Sequence, residues 1–392
     1  MQDRIVIVGA GPVGLVTALR LADFGLASTV LEKSVDVPRD LRATTFHPPT
    51  LDMLEDLGVL DEIEPQGVVT PSWQVFHLAS GRRVVFRMAV IADETRHPYR
   101  LQCEQYKLVK TLFERAAASD LVDLRLGFEV KAVGQDGERA WAEVDGERIE
   151  GAYLVGADGA HSVVRQGIGL SLEGETYPSL TILVTTAFPF EEHIPELIGA
   201  NYLWGPIDSF SMFRLREEWR CTFYPRPGQD EQIALTDEAL QERLHGIVDL
   251  PGDFAIRERR GYRIHQRIVP RYRVGRIVLA GDAAHLNAPT GGMGMNGGIH
   301  DAVNLSGKLR RIAAGDSDAL LDAYSAERRP VAQEEIIQQA HQNRTRMQQT
   351  DVAKQLRSLD ELQAIADDPA RLRQFVLKAS MIEGLRRSNM RA

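Results

Sequence analysis

The chain has 392 residues and a formal net charge of -9 at pH 7, long enough for two domains or for one large domain with an insertion. The acidic balance argues against a nucleic-acid partner, which needs a basic surface. A strand begins by Arg4 and no apolar run approaches the roughly 20 residues of a membrane helix, so we expect no signal peptide, no membrane partner and a cytoplasmic protein. Cys103 and Cys221 match no metal or redox spacing, and we predict no metal site.

The first predicted strand leads into a glycine-rich turn and a helix. Apolar residues from Ile5 to Val8 predict the strand, apolar residues at helical spacing follow the turn, and a second strand, Thr29 to Leu31, ends before a carboxylate. This order is typical of a dinucleotide-binding βαβ unit, whose glycines let the backbone and the helix N-terminus approach a pyrophosphate. The residues that we assign to this nucleotide site are Gly9, Gly11, Pro12, Gly14, Glu32 and Lys33.

Two later turns distinguish between FAD and NAD. YLVGADGAHSVVR, residues 153–165, reads as a strand, a turn and a helix start. GDAAHLNAPTGGMGMNGG, residues 281–298, follows another apolar strand and precedes DAVNLSGKL and YSAERRP. In this order, the segments resemble the motifs of class A FAD-dependent aromatic monooxygenases, the para-hydroxybenzoate hydroxylase-like flavoprotein hydroxylase family. The sequence departs from that family where relatives often carry glutamine, proline and tryptophan, namely at Met293, Ala288 and Gly307.

The resemblance implies FAD as the cofactor and gives roles to four side chains. Glu32 would hold the adenosine ribose, as its position after the second strand also indicates. Arg42 and Gln102 would contact the pyrophosphate and the ribityl region. Asp282 would accept a hydrogen bond from a ribityl hydroxyl. For Arg42 or Gln102 taken singly, a solvated side chain is an equal alternative.

The resemblance also implies that Asp158 and Arg165 support the FAD site and the entry of the nicotinamide donor. A helix predicted from Ile299 to Ala313 would point its N-terminus at the isoalloxazine ring, where backbone amides would stabilise the anionic reduced flavin. Met293 and Met295 fit ordinary core packing somewhat better than specific contacts with the ring. The other residues that we assign to the cofactor in this region are Gly281, Gly292, Gly294, Met295 and Asn296.

The predicted fold class is α/β, with a Rossmann-type FAD-binding domain, an inserted β-sheet-rich substrate domain and a C-terminal helical region. The insert is predicted from a strand-rich middle region, broken by Gly and Pro, and from an earlier hairpin pattern around Ser80 and Gly81. The last helices would cap the fold or contribute to a homodimer surface. The expected boundaries are 1–72, 98–178 and 270–345 for the FAD-binding domain, 73–97 and 179–269 for the substrate domain, and 346–392 for the C-terminal segment.

The predicted substrate residues lie mainly in the insert, where the family holds its substrate ring. Arg214 and Tyr224 fall on opposing strands of a predicted hairpin, and Arg214 suits a substrate carboxylate unless it faces solvent. Tyr202 and Trp204 are candidate walls, while His47 and the two tyrosines are candidates for proton transfer with a phenol. The residues that we assign to the catalytic site are His47, Tyr202, Arg214, Tyr224 and Pro289.

The resemblance implies a single-component flavoprotein monooxygenase. NADH or NADPH would reduce FAD, and O2 would form a C4a-hydroperoxyflavin that hydroxylates a small aromatic or heteroaromatic substrate, phenolic or hydroxypyridine-like. Three alternatives stay open: a flavin-dependent reductase, a halogenase of the same superfamily, and a nucleotide-binding protein without redox activity. The paired tryptophans of many halogenases are absent from the sequence.

Overall fold

The computed structural model describes residues 4–39, 42–205, 208–224, 226, 228–288 and 291–388. Pro289, one of the predicted substrate-site residues, lies outside the described residues. Within the described residues, the chain forms four β-sheets and a set of helices that cover them.

Twenty strands are present in the described part of the chain. In chain order they are β1 Ile5–Val8, β2 Ser28–Glu32, β3 Thr45–Phe46, β4 Val68–Thr70, β5 Ser72–His77, β6 Arg82–Arg87, β7 Arg100–Gln102, β8 Val122–Leu126, β9 Ala132–Gln135, β10 Ala140–Val144, β11 Glu147–Gly151, β12 Tyr153–Gly156, β13 Glu173–Thr186, β14 Ala200–Trp204, β15 Ser209–Arg214, β16 Trp219–Phe223, β17 Ile256–Ile268, β18 Arg273–Val274, β19 Ile277–Leu279 and β20 His285–Leu286.

Thirteen α-helices occur in the same described residues, together with several short 3-10 turns. The α-helices are α1 Pro12–Asp23, α2 Pro48–Asp56, α3 Leu60–Ile63, α4 Gln105–Ala117, α5 Val163–Gly167, α6 Phe190–His193, α7 Asp237–His245, α8 Met293–Ala313, α9 Leu320–Val331, α10 Gln338–Met347, α11 Val352–Ala366, α12 Pro369–Ala379 and α13 Ile382–Arg387.

A six-stranded sheet in the order β18-β19-β12-β1-β2-β8 forms the nucleotide-binding half of the molecule. β1 pairs in parallel with both β2 and β12, and β19 pairs in parallel with β12. All four residues of β1 are buried, because helices cover this sheet. The carboxyl ends of β1, β12 and β19 therefore lie at one edge, and the turns at Gly9, Asp158 and Asp282 meet there.

The second large sheet has eight strands in the order β20-β17-β13-β16-β15-β14-β5-β6. The predicted hairpin around Ser80 and Gly81 is formed by β5 and β6, and β5 lies parallel to β14. Two segments far apart in sequence, 72–87 and 173–268, thus share one sheet. The exact domain boundaries stay a prediction.

Each face of the eight-stranded sheet packs against its own hydrophobic core. One core contains Phe210 and Phe223 of the sheet together with Leu240 of α7. The other contains Trp73 and Phe86 of the sheet, and it is completed by residues of α11 and α12. The predicted C-terminal helical region is confirmed, and its helices cover one face of the sheet.

Two helices differ from the sequence prediction. α7 interrupts a region whose composition indicates strands. The Thr236 side chain caps its first turn, and the strand-like composition around it gave no indication of this helix start. α8 begins at Met293, six residues before the predicted start. The glycines in its first turns disfavour a helix, but they also allow the close packing that stabilises one here. Across the described ranges, no helix combines the length and apolar character that a membrane span requires.

Candidate functional site

Glycines at three positions shape the turn after β1. Gly9 has a φ of +103°, and a Cβ on Gly14 would lie 2.0 Å from the Gly9 carbonyl oxygen. At Gly11, by contrast, an added Cβ would meet nothing within 4 Å. Gly11 is the N-cap of α1 and Pro12 is its first residue, so no side chain caps the amides of the first turn. This end of α1 is therefore suited to an anion.

Glu32 holds the same turn from the end of β2. Its carboxylate accepts hydrogen bonds from the Ala10 amide at 2.8 Å and from the Ser34 amide at 2.9 Å. The adjacent Lys33 is exposed. The predicted ribose ligand thus lies beside the glycine turn and also fixes its backbone.

Asp158 and Arg165 connect the turn after β12 to the turn after β19. Asp158 accepts a hydrogen bond from the Ser162 hydroxyl at 2.5 Å, and burial raises the pKa of its carboxyl. Arg165 donates to the carbonyl oxygens of Ala160 at 2.9 Å and Ala283 at 3.1 Å. Because both side chains bind groups of these turns, they fix the positions of the two turns relative to each other.

Asp282 lies in the turn after β19, where the three strand ends meet. Its side chain is exposed, and the preceding Gly281 has a φ of +60°. The protein atoms around the carboxyl raise its pKa, while His285 and Arg42 act in the opposite direction. The charge of Arg42 therefore acts on the Asp282 carboxyl.

A fully buried ion-pair network supports this turn from the protein interior. Asp301 of α8 accepts hydrogen bonds from the Gly281 amide at 3.1 Å, from His285 Nε2 at 2.8 Å and from Arg328 Nε at 2.7 Å. Burial by itself raises the pKa of Asp301, but Arg328 and His285 lower it to about 2. Asp301 is therefore ionised and fixes the position of the loop that carries Asp282.

The start of α8 is pressed against β3. Gly292 is the N-cap of α8 with a φ of +67°, and a Cβ there would lie 2.8 Å from Thr45 Cβ. Asn296 donates to the Thr45 carbonyl oxygen at 2.8 Å and accepts from the His47 amide at 2.9 Å. No side chain caps the first turn of α8, so its amide groups are available to a ligand.

Gln102 has a buried polar atom without a protein partner. Its Oε1 accepts a hydrogen bond from the Thr45 hydroxyl at 2.7 Å. Its Nε2 is buried and finds no acceptor among the described residues. Such an unsatisfied donor indicates a missing ligand, because an unpaired buried amide carries a desolvation cost.

His47 is fully buried beside the same glycine turn. Its Nε2 lies 2.8 Å from the Gly291 carbonyl oxygen, which only accepts, so Nε2 carries the proton. Burial and the nearby Arg100 charge lower the pKa of His47 to about 3. The imidazole is therefore neutral at neutral pH, and Nδ1 has no partner in the described residues.

A cavity with about 530 Å³ of empty space, partly open to solvent, lies between the eight-stranded sheet, the start of α8 and the C-terminal helices. Gly291 and Met293 border it on the α8 side. Tyr202 and Arg100 also line it, and the two side chains are hydrogen-bonded to each other. The remaining walls are mainly apolar and include the aromatic rings of Trp73, Phe86 and Phe375.

Comparisons with known proteins agree with these turns. Residues 3–340 match the FAD binding domain family. The chain belongs to this FAD-binding family. It is 31% identical to the para-nitrophenol 4-monooxygenase of Pseudomonas sp. (strain WBC-3), over 98% of this chain and 97% of that one. It is 33% identical to the 6-hydroxy-3-succinoylpyridine 3-monooxygenase of Pseudomonas putida (strain DSM 28022 / S16), over 84% of this chain and 85% of that one.

The fold of this FAD-binding chain is also that of a solved relative. The crystal structure of a p-nitrophenol 4-monooxygenase from Pseudomonas putida DLL-E4 superposes with a TM-score of 0.90, at 29% identity, covering 100% of this chain and 99% of the other. The predicted fold class is confirmed. The residues present fit FAD, since the uncapped starts of α1 and α8 and the unpartnered Gln102 Nε2 are suited to phosphate and flavin groups.

The predicted substrate residues of this FAD-binding chain fall into two groups. Tyr202 lines the cavity, and His47 lies next to Gly291 at its border. Arg214 instead lies at the hairpin turn, where its Nε is 3.4 Å from a Glu191 carboxylate oxygen and its Nη1 donates to two backbone carbonyls. The Tyr224 ring contacts the Arg344 guanidinium, 5.1 Å from the ring centre. Neither Arg214 nor Tyr224 is among the described residues that line the cavity.

Most residues that line the cavity are not among the predicted site residues. Arg100, Trp73 and Phe86 line the cavity but belong to no motif. Trp204, predicted as a wall, is fully buried in the sheet. One sequence pattern does point to Arg100. It lies two positions before Gln102 in β7, and strand alternation places both side chains on the same face of the strand.

Proposed function

We propose that this FAD-dependent chain uses NADH or NADPH and O2 to hydroxylate a small aromatic compound. The observation that carries this function is the cavity, whose aromatic walls reach Gly291 and Met293 at the uncapped start of α8. A mainly apolar cavity with a few polar groups suits a planar aromatic substrate. The relatives whose names refer to nitrophenol and hydroxypyridine compounds support it.

In this proposal, the residues at the strand edge hold the cofactor from one end to the other. Glu32 and the start of α1 bind the ribose and the pyrophosphate, because the carboxylate and the uncapped amides lie in one turn. Arg42 and Asp282 bind the pyrophosphate and the ribityl chain. Gln102 donates its unpartnered Nε2 to the same part of FAD.

The start of α8 stabilises negative charge on the reduced flavin. Bound FAD supplies the hydride acceptor and the activation of oxygen. The chain supplies backbone amides at the first turn of α8, where the helix dipole favours an anion. Met295 and Asn296 take part through their backbone, since the Asn296 side chain already binds Thr45 and His47.

Tyr202 and His47 have different roles in this proposal. Tyr202 lines the cavity and contacts the substrate. With a pKa of about 3, His47 is too weak a base to take a proton from a phenol at neutral pH. Its Nε2 instead holds the Gly291 carbonyl and so fixes the glycine turn that borders the cavity.

The test measures oxygen incorporation by the purified yellow protein. Hydroxybenzoates, nitrophenols and hydroxypyridines are screened for stimulated NADH or NADPH oxidation, with hydrogen peroxide assayed to detect uncoupled turnover. We expect at least one compound to gain an oxygen atom from isotopically labelled O2. Reduction of a substrate without oxygen uptake would identify a reductase, and failure to bind FAD would identify a nucleotide-binding protein without redox activity.

Asp282→Ala tests the cofactor half of the proposal. Loss of a buried hydrogen bond weakens binding by about 1–3 kcal/mol, so we expect a clearly higher dissociation constant for FAD. Fluorescence titration of the apoprotein with FAD measures the change. Asp316→Ala is the control, because Asp316 is an exposed acid beyond the end of α8. Equal FAD affinity of Asp282→Ala and the wild type would refute the assigned role.

A further inference from the structure

The cavity beside α8 has an unusual charge composition for this chain. The molecule carries a formal net charge of -9. The described residues that line the cavity nevertheless include two arginines, Arg100 and Arg346, and no aspartate or glutamate. Arg346 has Glu361 as an acidic neighbour. Arg100 is therefore the cation whose charge the cavity leaves uncompensated.

Arg100 is held rigidly at the cavity wall. Its guanidinium lies over the Trp73 ring, 4.3 Å from the ring centre, and Nη2 donates to the Ala379 carbonyl oxygen at 3.1 Å. Tyr202 is hydrogen-bonded to it as well. Only 4% of Arg100 is exposed, and its Nε has no acceptor within the described ranges. The side chain is thus positioned by neutral groups and keeps at least one donor unused.

Two other buried arginines have a carboxylate partner, which Arg100 lacks among the described residues. Arg328 is fully buried and paired with Asp301 at 2.7 Å. Arg243 is also buried, and it has Asp208 at 3.4 Å. Arg100 interacts with no carboxylate in the described chain, and burial lowers the pKa of its guanidinium. A buried cation without a counter-ion is costly, so an anionic ligand is the expected partner.

We propose that Arg100 binds the substrate through a substituent with two negatively charged or polarised oxygens, a carboxylate or a nitro group on the aromatic ring. A planar guanidinium fits such a pair of oxygens better than it fits a single hydroxyl. Trp73 and Tyr202 flank the substituent, and a ring held there extends toward Gly291 and Met293, which border the same cavity. This inference rests on the proposed aromatic hydroxylation.

The test compares matched ligand pairs without requiring turnover. Dissociation constants are measured from the absorbance change of oxidised FAD as the holoenzyme is titrated. The pairs are 4-hydroxybenzoate with 4-hydroxybenzamide, and 4-nitrophenol with 4-methylphenol. In the wild type we expect the first member of at least one pair to bind about tenfold more tightly or better.

Arg100→Met is expected to abolish that preference. Binding of the carboxylate or nitro compound weakens by roughly 10- to 100-fold, the range for hydrogen bonds to a charged group, while the neutral partner changes little. Arg83→Met is the matched control, since Arg83 is an exposed arginine on β6 of the same sheet. Arg214→Met tests the anchor that the sequence suggested, and we expect it to keep the wild-type preference.

Two results overturn the inference. The first is a wild-type protein that binds the neutral member of both pairs as tightly as the carboxylate or nitro member. The second is an Arg100→Met variant that still prefers the carboxylate or nitro member. If Arg100→Met does not retain FAD, Arg100→Gln replaces it, because its side chain is uncharged but keeps a hydrogen-bond donor. Tight anion binding without oxygen incorporation refutes the proposed function and leaves this inference intact. Hydroxylation that is equally efficient in Arg100→Met refutes this inference and leaves the proposed function intact.

Discussion

At the residue scale, the site contains ionisable groups that burial has made insensitive to ordinary changes of pH. His47 is the clearest example, because its pKa is lowered to about 3 by burial and by the Arg100 charge. It is neutral across the working range of most enzymes. Its role is consequently structural, namely the hydrogen bond to the Gly291 carbonyl. Protonation of His47 therefore affects the stability of the fold.

His47 should contribute to acid unfolding. An unfolded histidine takes up a proton near pH 6.5, whereas folded His47 stays neutral until about pH 3. Protons therefore favour the unfolded chain, and this contribution to stability, complete above pH 6.5, is lost as the pH falls toward 3. In His47→Gln, we expect the unfolding free energy to fall less steeply between pH 6 and pH 4, by about 1.4 kcal/mol per pH unit.

Urea unfolding at several pH values measures this slope. His161→Gln serves as the control, since His161 is exposed, and it should follow the wild type. An unchanged slope in His47→Gln would show that the histidine is protonated in the folded protein.

The residues that the sequence revealed are those whose chemistry needs a fixed local spacing. The glycines near Gly9 and Gly291 and the carboxylate of Asp282 follow directly after strands, so their position is encoded locally. Arg100 is one of 46 lysines and arginines, and its alternation with Gln102 does not reveal that it lacks a carboxylate neighbour in the described structure. Only the tertiary structure shows that Arg100 has no carboxylate neighbour among the described residues and that its guanidinium lies over the Trp73 ring.

At the element scale, α8 depends on packing that excludes side chains. A Cβ on Gly298 would lie 2.7 Å from Val13 Cγ2 and 3.2 Å from Gly281 Cα, so α8 approaches both α1 and the Asp282 turn closely. Helix propensity alone predicts a loop here, because glycine disfavours helices. The early start of α8 therefore could not be predicted from local sequence.

Two alanine substitutions on α8 should have opposite effects. Gly298→Ala forces an overpacked contact, and we expect it to lower the unfolding free energy by about 1–3 kcal/mol and to weaken FAD binding. A Cβ on Gly307 meets nothing within 4 Å, so Gly307→Ala should raise the unfolding free energy by about 0.5–1 kcal/mol through helix propensity. Denaturant unfolding of both variants tests the pair, and equal effects would contradict this account of α8.

At the scale of the whole molecule, the C-terminal helices close both the sheet and the cavity. The Phe375 ring of α12 lies tilted against the rings of Trp73 and Phe86, with ring centres 6.4 and 4.8 Å away, and it lines the cavity. The sequence predicted helices here. It did not predict the face that they cover, because the pairing of β5 with β14 joins segments more than a hundred residues apart.

Phe375→Ala should therefore lower both stability and substrate affinity. Loss of a partly exposed aromatic core residue costs roughly 2–4 kcal/mol of unfolding free energy. Phe254→Ala is the matched control, because Phe254 belongs to the core on the opposite face of the same sheet. It should destabilise the protein without changing the affinity for aromatic ligands. Thermal unfolding and flavin absorbance titration separate the two effects, and equal ligand affinity in both variants would contradict the covering role of α12.

The core of the nucleotide-binding half has a consequence for biosynthesis. Met381 and Leu385 pack in the same hydrophobic core as Ile7 and Leu15 of the first βα unit. A ribosome makes Met381 and Leu385 long after it has made the first βα unit. This core cannot be completed until residue 385 has left the exit tunnel, so we expect nascent chains that stop short of that residue to retain FAD less well than the 392-residue chain.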